Sequence, residues 1–165
     1  MPDIPSTPAD GNVKVVVVTT IANTSAPTAA ELNAGTSVDI SCYLTADGLT
    51  PGLDEQVITD SRLCEIETFE QPGRVQRTLA VQYIDNTNTA LANAAKTALV
   101  PGTALFLAVR GGKAFDTVFA AADKVMISPI KPGQYSKLPP EANSVLKIAQ
   151  KLFVTGRTIP DATVA

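Results

Sequence analysis

The chain has 165 residues, 45% hydrophobic and 18% charged, with a net charge of −3, two cysteines and no histidine. That balance belongs to one globular domain able to bury a core without disulfides or metal, and it excludes a disordered chain. The missing histidine removes every Ser-His and Cys-His nucleophile pair and the commonest metal ligand, while scarce aromatics (5%) and the acidic balance argue against a nucleic-acid binder.

The first dozen residues, with Pro2, Pro5 and Pro8, read as an extended arm. They carry acids and prolines where a signal peptide carries bases and an apolar core, and no apolar run reaches the roughly 20 residues of a membrane span. These features point to a cytosolic chain, in which Cys42 and Cys64 are expected as free thiols packed in the core. "NVKVVVVTTI" is a β-branched run without helical period and predicts a buried strand. In "SAPTAAELNAG", Thr28 and Glu31 have the spacing of a capping box, Pro27 precedes it, and Gly35 stands where a left-handed turn would end a short helix. Some two turns of helix do not persist alone in water, so this one needs a surface to pack on.

"SVDISCYL" alternates strictly, with Val38, Ile40, Cys42 and Leu44 on one side, and predicts a half-buried strand. "TADGLTPGLDEQ" (Thr45 to Gln56) reads as a loop too long for a hairpin turn, apolar at Leu49 and Leu53, and loops of this kind are usually functional. "RLCEIETFE" and "RVQRTLAVQYID" flank "QPG" as a hairpin, with Val75, Leu79, Val81 and Tyr83 facing inward. "NTALANAAKTALVPG" predicts the one substantial helix, striped by Leu91, Ala95, Ala98 and Leu99, capped by an Asn or Thr and closed by Pro101-Gly102. Three strands follow in "TALFLAVRGG", "DKVMISPIKPGQYSKL" and "NSVLKIAQKLFVTGR". In the last of them Leu146, Ile148, Leu152 and Val154 face inward, and Lys147 and Lys151 outward. "TIPDATVA" reads as a free tail. The fold class that emerges is mainly β: a β-sandwich or barrel of two sheets, about seven strands, with one flanking α-helix and a short N-terminal helix. The corresponding division is an extended arm over 1–12, a β-sandwich domain over 13–157 and a tail over 158–165.

Chemistry is hard to find. "RGGKAF" (Arg110 to Phe115) lacks the earlier glycine of a phosphate loop and reads as a turn. Glu65 and Glu67 lie two apart on a predicted strand, hence on one face, but no third ligand stands at useful spacing and a solvated face is the better reading. No catalytic, cofactor-binding or metal residue is assigned, and the chain is not expected to be an enzyme. The features that remain concern self-association. Residues 1–72 carry net −9 and residues 73–165 net +6; halves of opposite sign could attract a copy of the chain, although an imbalance spread evenly over the folded surface is the slightly favoured reading. "VVVV" (Val15 to Val18) and "LFLAV" (Leu105 to Val109) suggest sheet edges that a neighbour covers.

In order and content these pieces, above all "PTAAELNAG" before the strand bearing Asp39-Ile40 and the later "NTALANAAKTAL", resemble the tail tube (major tail) proteins of long-tailed, non-contractile phages, particularly those infecting actinobacteria. The resemblance runs from about Asn12 to Arg157. It implies a tail-tube-like β-sandwich with a flanking helix, copies joined in hexameric rings, and rings stacked into a hollow tube that conducts DNA into the host. It implies a place in the virion tail after assembly in the host cytoplasm. The implied partners are other copies of the chain and tape measure, tail terminator and distal tail proteins, with no membrane and no cofactor. The short helix would then pack on a neighbouring subunit or on adjacent strands. Leu49, Thr50, Pro51, Gly52, Leu53, Asp54 and Glu55 become the element reaching toward the next subunit or ring. Because a DNA conduit should not grip phosphates, Glu65, Glu67 and Glu70 become candidates for its inner wall. A non-enzymatic β-sandwich binding or adhesin-like module, or another virion accessory protein, is the alternative.

Overall fold

The computed structural model describes residues 3–86 and 91–165. Its elements are β1 (Val13–Val18), α1 (Ala29–Leu32), β2 (Val38–Asp39), β3 (Leu44–Asp60), β4 (Phe69–Ile84), a 3₁₀ turn (Leu91–Asn93) leading into α2 (Ala94–Ala98), β5 (Leu105–Gly111), β6 (Lys124–Lys137), β7 (Lys147–Val154) and β8 (Ile159–Thr163). The strands are antiparallel and join in the order β2-β1-β5-β6-β7-β4-β3, with β8 also on β6. Where two sheets were expected, one continuous sheet curls into a half-barrel. The continuity resides in β6. Its first part pairs with β5 and β8, and its second part, from Ile130 onward, pairs with β7. Pro129 and Pro132 and a register break before Tyr135 interrupt its ladder, as bulges and prolines do where a strand bends.

Curling buries the central strands on both faces. Val15 and Val17 of β1 join Leu79, Val81, Leu107, Ile130, Ile148 and Leu152 in the inner core, whereas Val16 and Val18 join Ile21, Leu32, Ala108, Phe119 and Ile127 outside. This explains why "VVVV" has no alternation. Strands buried on both sides need apolar residues at every position. The same fact overturns the edge reading: β1 lies between β2 and β5, and β5 between β1 and β6. Ala95 and Leu99 of the helical segment are buried in the inner core, as its stripe predicts. Within the described residues the helix is much shorter than expected. Its proposed Asn or Thr start (Asn88 or Thr89) lies outside them, and Asn93 makes no side-chain cap. Gly102, at φ +81°, closes the segment and donates its N–H to the Pro132 carbonyl.

The capping box is present. The Glu31 backbone donates to Thr28 Oγ1 at 3.2 Å, and Glu31 Oε2 accepts from the Thr28 N–H at 2.9 Å. The helix stops at Asn33, two residues before Gly35, which is not left-handed. Asn33 is occupied elsewhere: its amide donates to the Phe119 carbonyl at 2.8 Å and accepts from the Phe119 N–H at 3.0 Å. The surface that α1 needs comes from its own chain, with Leu32 packed in the outer core beside Val16 and Val164.

Several expectations are corrected. "SVDISCYL" is not one strand: β2 ends at Asp39, and Ile40–Tyr43 form a turn because the Ile40 carbonyl accepts from the N–H groups of Tyr43 and Leu44. Cys42 sits on that turn and Cys64 between β3 and β4, so both are exposed and free rather than core thiols. Leu146 lies ahead of β7 and is exposed, while Lys147 is half-buried and pairs with Glu141 at 3.1 Å. The C-terminal segment is no free tail. It forms β8, and its Ala162 and Val164 are buried in the outer core.

A polar side chain stands in the inner core. Gln150 of β7 shares a face with Ile148 and Leu152. Its amide donates to the carbonyls of Leu99 (3.0 Å) and Gly133 (2.8 Å) and accepts from the Tyr83 hydroxyl (3.0 Å). It therefore joins the end of α2, the break in β6, and β4. Burial, with smaller contributions from Tyr135 and Asp85, pushes the Tyr83 hydroxyl up to about 12, keeping it a neutral donor. Gln150→Leu should strip partners from the buried Leu99 carbonyl and Tyr83 hydroxyl and the half-buried Gly133 carbonyl and destabilise the fold by about 3 kcal/mol, measured by urea denaturation. An unchanged midpoint would remove Gln150 from this role.

Candidate self-association surface

The segment Leu49–Glu55, expected as a loop, is part of β3. Pro51 is tolerated because β3 is the last strand of the sheet and has a free edge. The irregularity sits earlier. Leu44 pairs with Tyr83 and Leu49 with Val81, so residues 45–48 bulge opposite Gln82. Gly48 is needed there, since a Cβ would stand 2.2 Å from the Gln82 carbonyl oxygen. The hairpin turn also moves. "QPG" lies within β4, and residues 61–68 connect the strands, because Val57 pairs with Pro72 and Asp60 with Phe69.

β4 pairs with β7 only from Leu79 to Ile84. Its remaining length, with β3 as sole partner, is a two-stranded ribbon projecting about 30 Å from the sheet at ~3.3 Å per residue. Two-stranded ribbons are marginal in water unless something packs on them. Apolar side chains occur on both faces. Gly73 and Arg74 oppose Gln56 alone, a bulge that shifts the alternation of β4. Leu53 and Val75 below the bulge and Val57 beyond it continue the face of Leu79; Ile58 and Phe69 occupy the other face nearer the tip, and all five are about half exposed. Val75, expected inward, is uncovered because β7 does not extend that far. Leu63 and Ile66, in the connection, are fully exposed.

Of the acidic candidates, Glu65 and Glu67 lie in the 61–68 connection and not on a shared strand face; Glu70 is on β4 opposite Thr59. Sequence reasoning missed a basic cleft of about 580 Å³ at the root of the ribbon, where β4 parts from β7. Arg77, Lys151 and Arg157 line it with Val75, Phe153 and Pro160, and no acidic residue does. The positive charge of residues 73–165 was its only trace in the sequence.

The densest buried electrostatics lies elsewhere and serves the fold. Arg110, next to last in β5, donates to the carbonyls of Ala114, Thr117 and Val118 at 2.8–3.0 Å and to Asp123 at 3.1 Å, with its guanidinium carbon 5.1 Å from the Phe119 ring centre. Lys113 also binds Asp123. Lys14 reaches Asp39 at 2.8 Å and the Phe115 carbonyl at 2.9 Å. "RGGKAF" is thus a turn, as expected, whose arginine gathers the β5–β6 connection around itself. The Lys113 hydrogen bond holds the Asp123 carboxyl below its usual range against the opposing effect of burial, aided by the Ala120 N–H and Arg110. Burial raises Asp39, but hydrogen bonds from Lys14 and Ser41 outweigh it and leave its carboxyl low. Glu31 is held low first by the Thr28 N–H, then by the Ala22 N–H. Among the described residues there is no group of three His, Cys, Asp or Glu able to hold a metal, and no helix is long and apolar enough to cross a membrane.

Fold and surface together define a mainly β protein, a curled sheet with a bare ribbon at one end. The chain belongs to the phage tail tube protein family, whose model matches residues 1–165. Among solved structures it resembles a chain in the cryo-EM structure of the anti-feeding prophage (AFP) baseplate, six-fold symmetrised, with TM-score 0.54 and 14% identity over 94% of this chain and 97% of that one. At that identity the likeness establishes the fold. No curated protein matches the chain in sequence. The chain is a structural component of the virion tail.

The depressed carboxylates fix the sign of the acid response. Their stabilisation is complete above the ordinary values, 3.8 for Asp123 and Asp39 and 4.5 for Glu31, and is lost as pH falls through the lower folded values. Urea midpoints should therefore drop below about pH 4. Asp123→Ala, which leaves Arg110 buried without its carboxylate, should cost about 3–5 kcal/mol at neutral pH and flatten that acid response.

Proposed function

We propose that the chain is the repeating subunit of a tail tube: copies join side by side in rings of six, and the rings stack into a hollow conduit that delivers DNA to the host. Family membership across residues 1–165 supports this reading, and the six-fold symmetry of the anti-feeding prophage baseplate favours the ring number. The observation that carries it is the ribbon. Leu53, Val57, Ile58, Phe69 and Val75 are uncovered in the single chain, on both faces of a two-stranded element that is marginal unless a neighbour packs on it. Residues Leu49 to Glu55, as the free-edge strand of that ribbon, are the part that meets the next subunit or ring.

On this reading the tail is long and non-contractile, of the type found on phages of actinobacteria. Subunits fold in the host cytoplasm and meet tape measure, tail terminator and distal tail proteins during assembly. The work is mechanical, and no reaction is assigned to any residue.

Concentrating the full chain and imaging it by negative stain should reveal rings or hollow filaments. A single compact species at every concentration would favour a binding module instead. Leu53→Asp combined with Val75→Asp should keep the folded circular-dichroism signal, since both positions are half exposed, and raise the concentration needed for assembly at least about tenfold. Assembly at the wild-type concentration would separate the ribbon from the interface.

A further inference from the structure

We infer that the basic cleft at the root of the ribbon is the seat for the ribbon tip of the next copy. The inference rests on the self-assembly reading and names the two surfaces that meet. Residues 60–70, "DSRLCEIETFE", carry four acids and one base, net −3. Arg62 is occupied by Asp60 at 2.9 Å, whereas Glu65, Glu67 and Glu70 form no ion pair among the described residues. The cleft presents Arg77, Lys151 and Arg157, formally +3, and none of these makes an ion pair among the described residues. Equal and opposite unpaired charge is thus displayed on two surfaces of one chain.

The apolar parts match as well. Leu63 and Ile66 stand fully exposed among the tip acids, and Val75, Phe153 and Pro160 wall the cleft. Lys151 Nζ lies 5.0 Å from the Phe153 ring centre, so a carboxylate that paired with this lysine would lie beside an aromatic wall. A tip does not fold back onto its own cleft, because the paired strands β3 and β4 run between them, with Glu70 five residues from Val75 and seven from Arg77, about 15–25 Å at ~3.3 Å per residue. Only another copy can bring them together. The contact is head-to-tail, and such contacts either close into rings or extend into filaments.

The test uses the full-length chain and assembly read by sedimentation and negative stain, with circular dichroism to establish folding. Glu65→Lys with Glu67→Lys, and separately Arg77→Glu with Arg157→Glu, should each raise the assembly concentration about tenfold or more. An equimolar mixture, in which each tip variant meets the complementary cleft variant only in part, is less informative than the chain bearing all four changes, which should regain assembly. Added salt should weaken wild-type assembly. Folded pairs that assemble normally, or a four-fold variant that stays dispersed although each pair is folded, would overturn the tip–cleft pairing. So would tip variants that form normal tubes but pass less DNA, which would return these acids to the inner wall. A cleft variant that assembles normally and loses only retention of a DNA oligonucleotide would assign the cleft to nucleic acid and overturn it too. Wild-type protein that never assembles would sink the tube reading itself, a failure distinguishable from all of these.

Discussion

The short reach of β7 governs the molecule's surface. Its pairing with β4 begins at Leu79, and the rest of β4 has β3 alone for support. Had the ladder continued, Val75 would lie in a three-stranded sheet like Leu79, Val81 and Tyr83. Because it stops, one hairpin has two characters: its lower part is core, and its upper part is an uncovered ribbon. The cleft is a product of the same parting of strands. The free edge, the exposed apolar residues and the basic seat therefore share one geometric origin.

The body holding this ribbon is fixed by two kinds of device. Apolar burial on both faces of β1 and β5 makes the centre of the sheet dense, with Val15–Val18 contributing alternately to inner and outer cores. Buried polar groups then fix positions that packing alone would leave free. Gln150 ties α2, β4 and the break in β6 together, and Arg110 ties the β5–β6 connection to Asp123. Such groups are costly to leave unpaired, so they narrow the arrangements the chain can adopt. Asn33 makes the equivalent link between α1 and Phe119.

Local chemistry was legible in the sequence and long-range pairing was not. The Thr28–Glu31 box, the buried β1, the inward row Leu79-Val81-Tyr83 and the Ala95/Leu99 stripe could each be read from a few neighbouring residues. The ribbon was misread because Pro51, Gly52 and the "QPG" run are turn residues by local preference, and only an edge position and a bulge make them strand. "SVDISCYL" failed for the opposite reason: perfect alternation concealed a turn at Ile40–Tyr43. "TIPDATVA" looked free because its partner, β6, lies far away in sequence. The basic cleft draws on Arg77, Lys151 and Arg157, residues brought together only by the fold. The family resemblance supplied the functional direction, and the site had to wait for the structure.

The bulge at Gly73 and Arg74 bears on the timing of growth in the proposed assembly. A ribbon with one bulged ladder and no third strand is among the parts of a protein that open most readily, so the isolated chain holds its sticky element in a loosely ordered form. In the proposed assembly the first encounters would supply the ordering entropy of that element, while later arrivals would meet one already stiffened. Polymerisation of that kind would start reluctantly and proceed quickly, with filaments appearing only after a lag and above a threshold concentration.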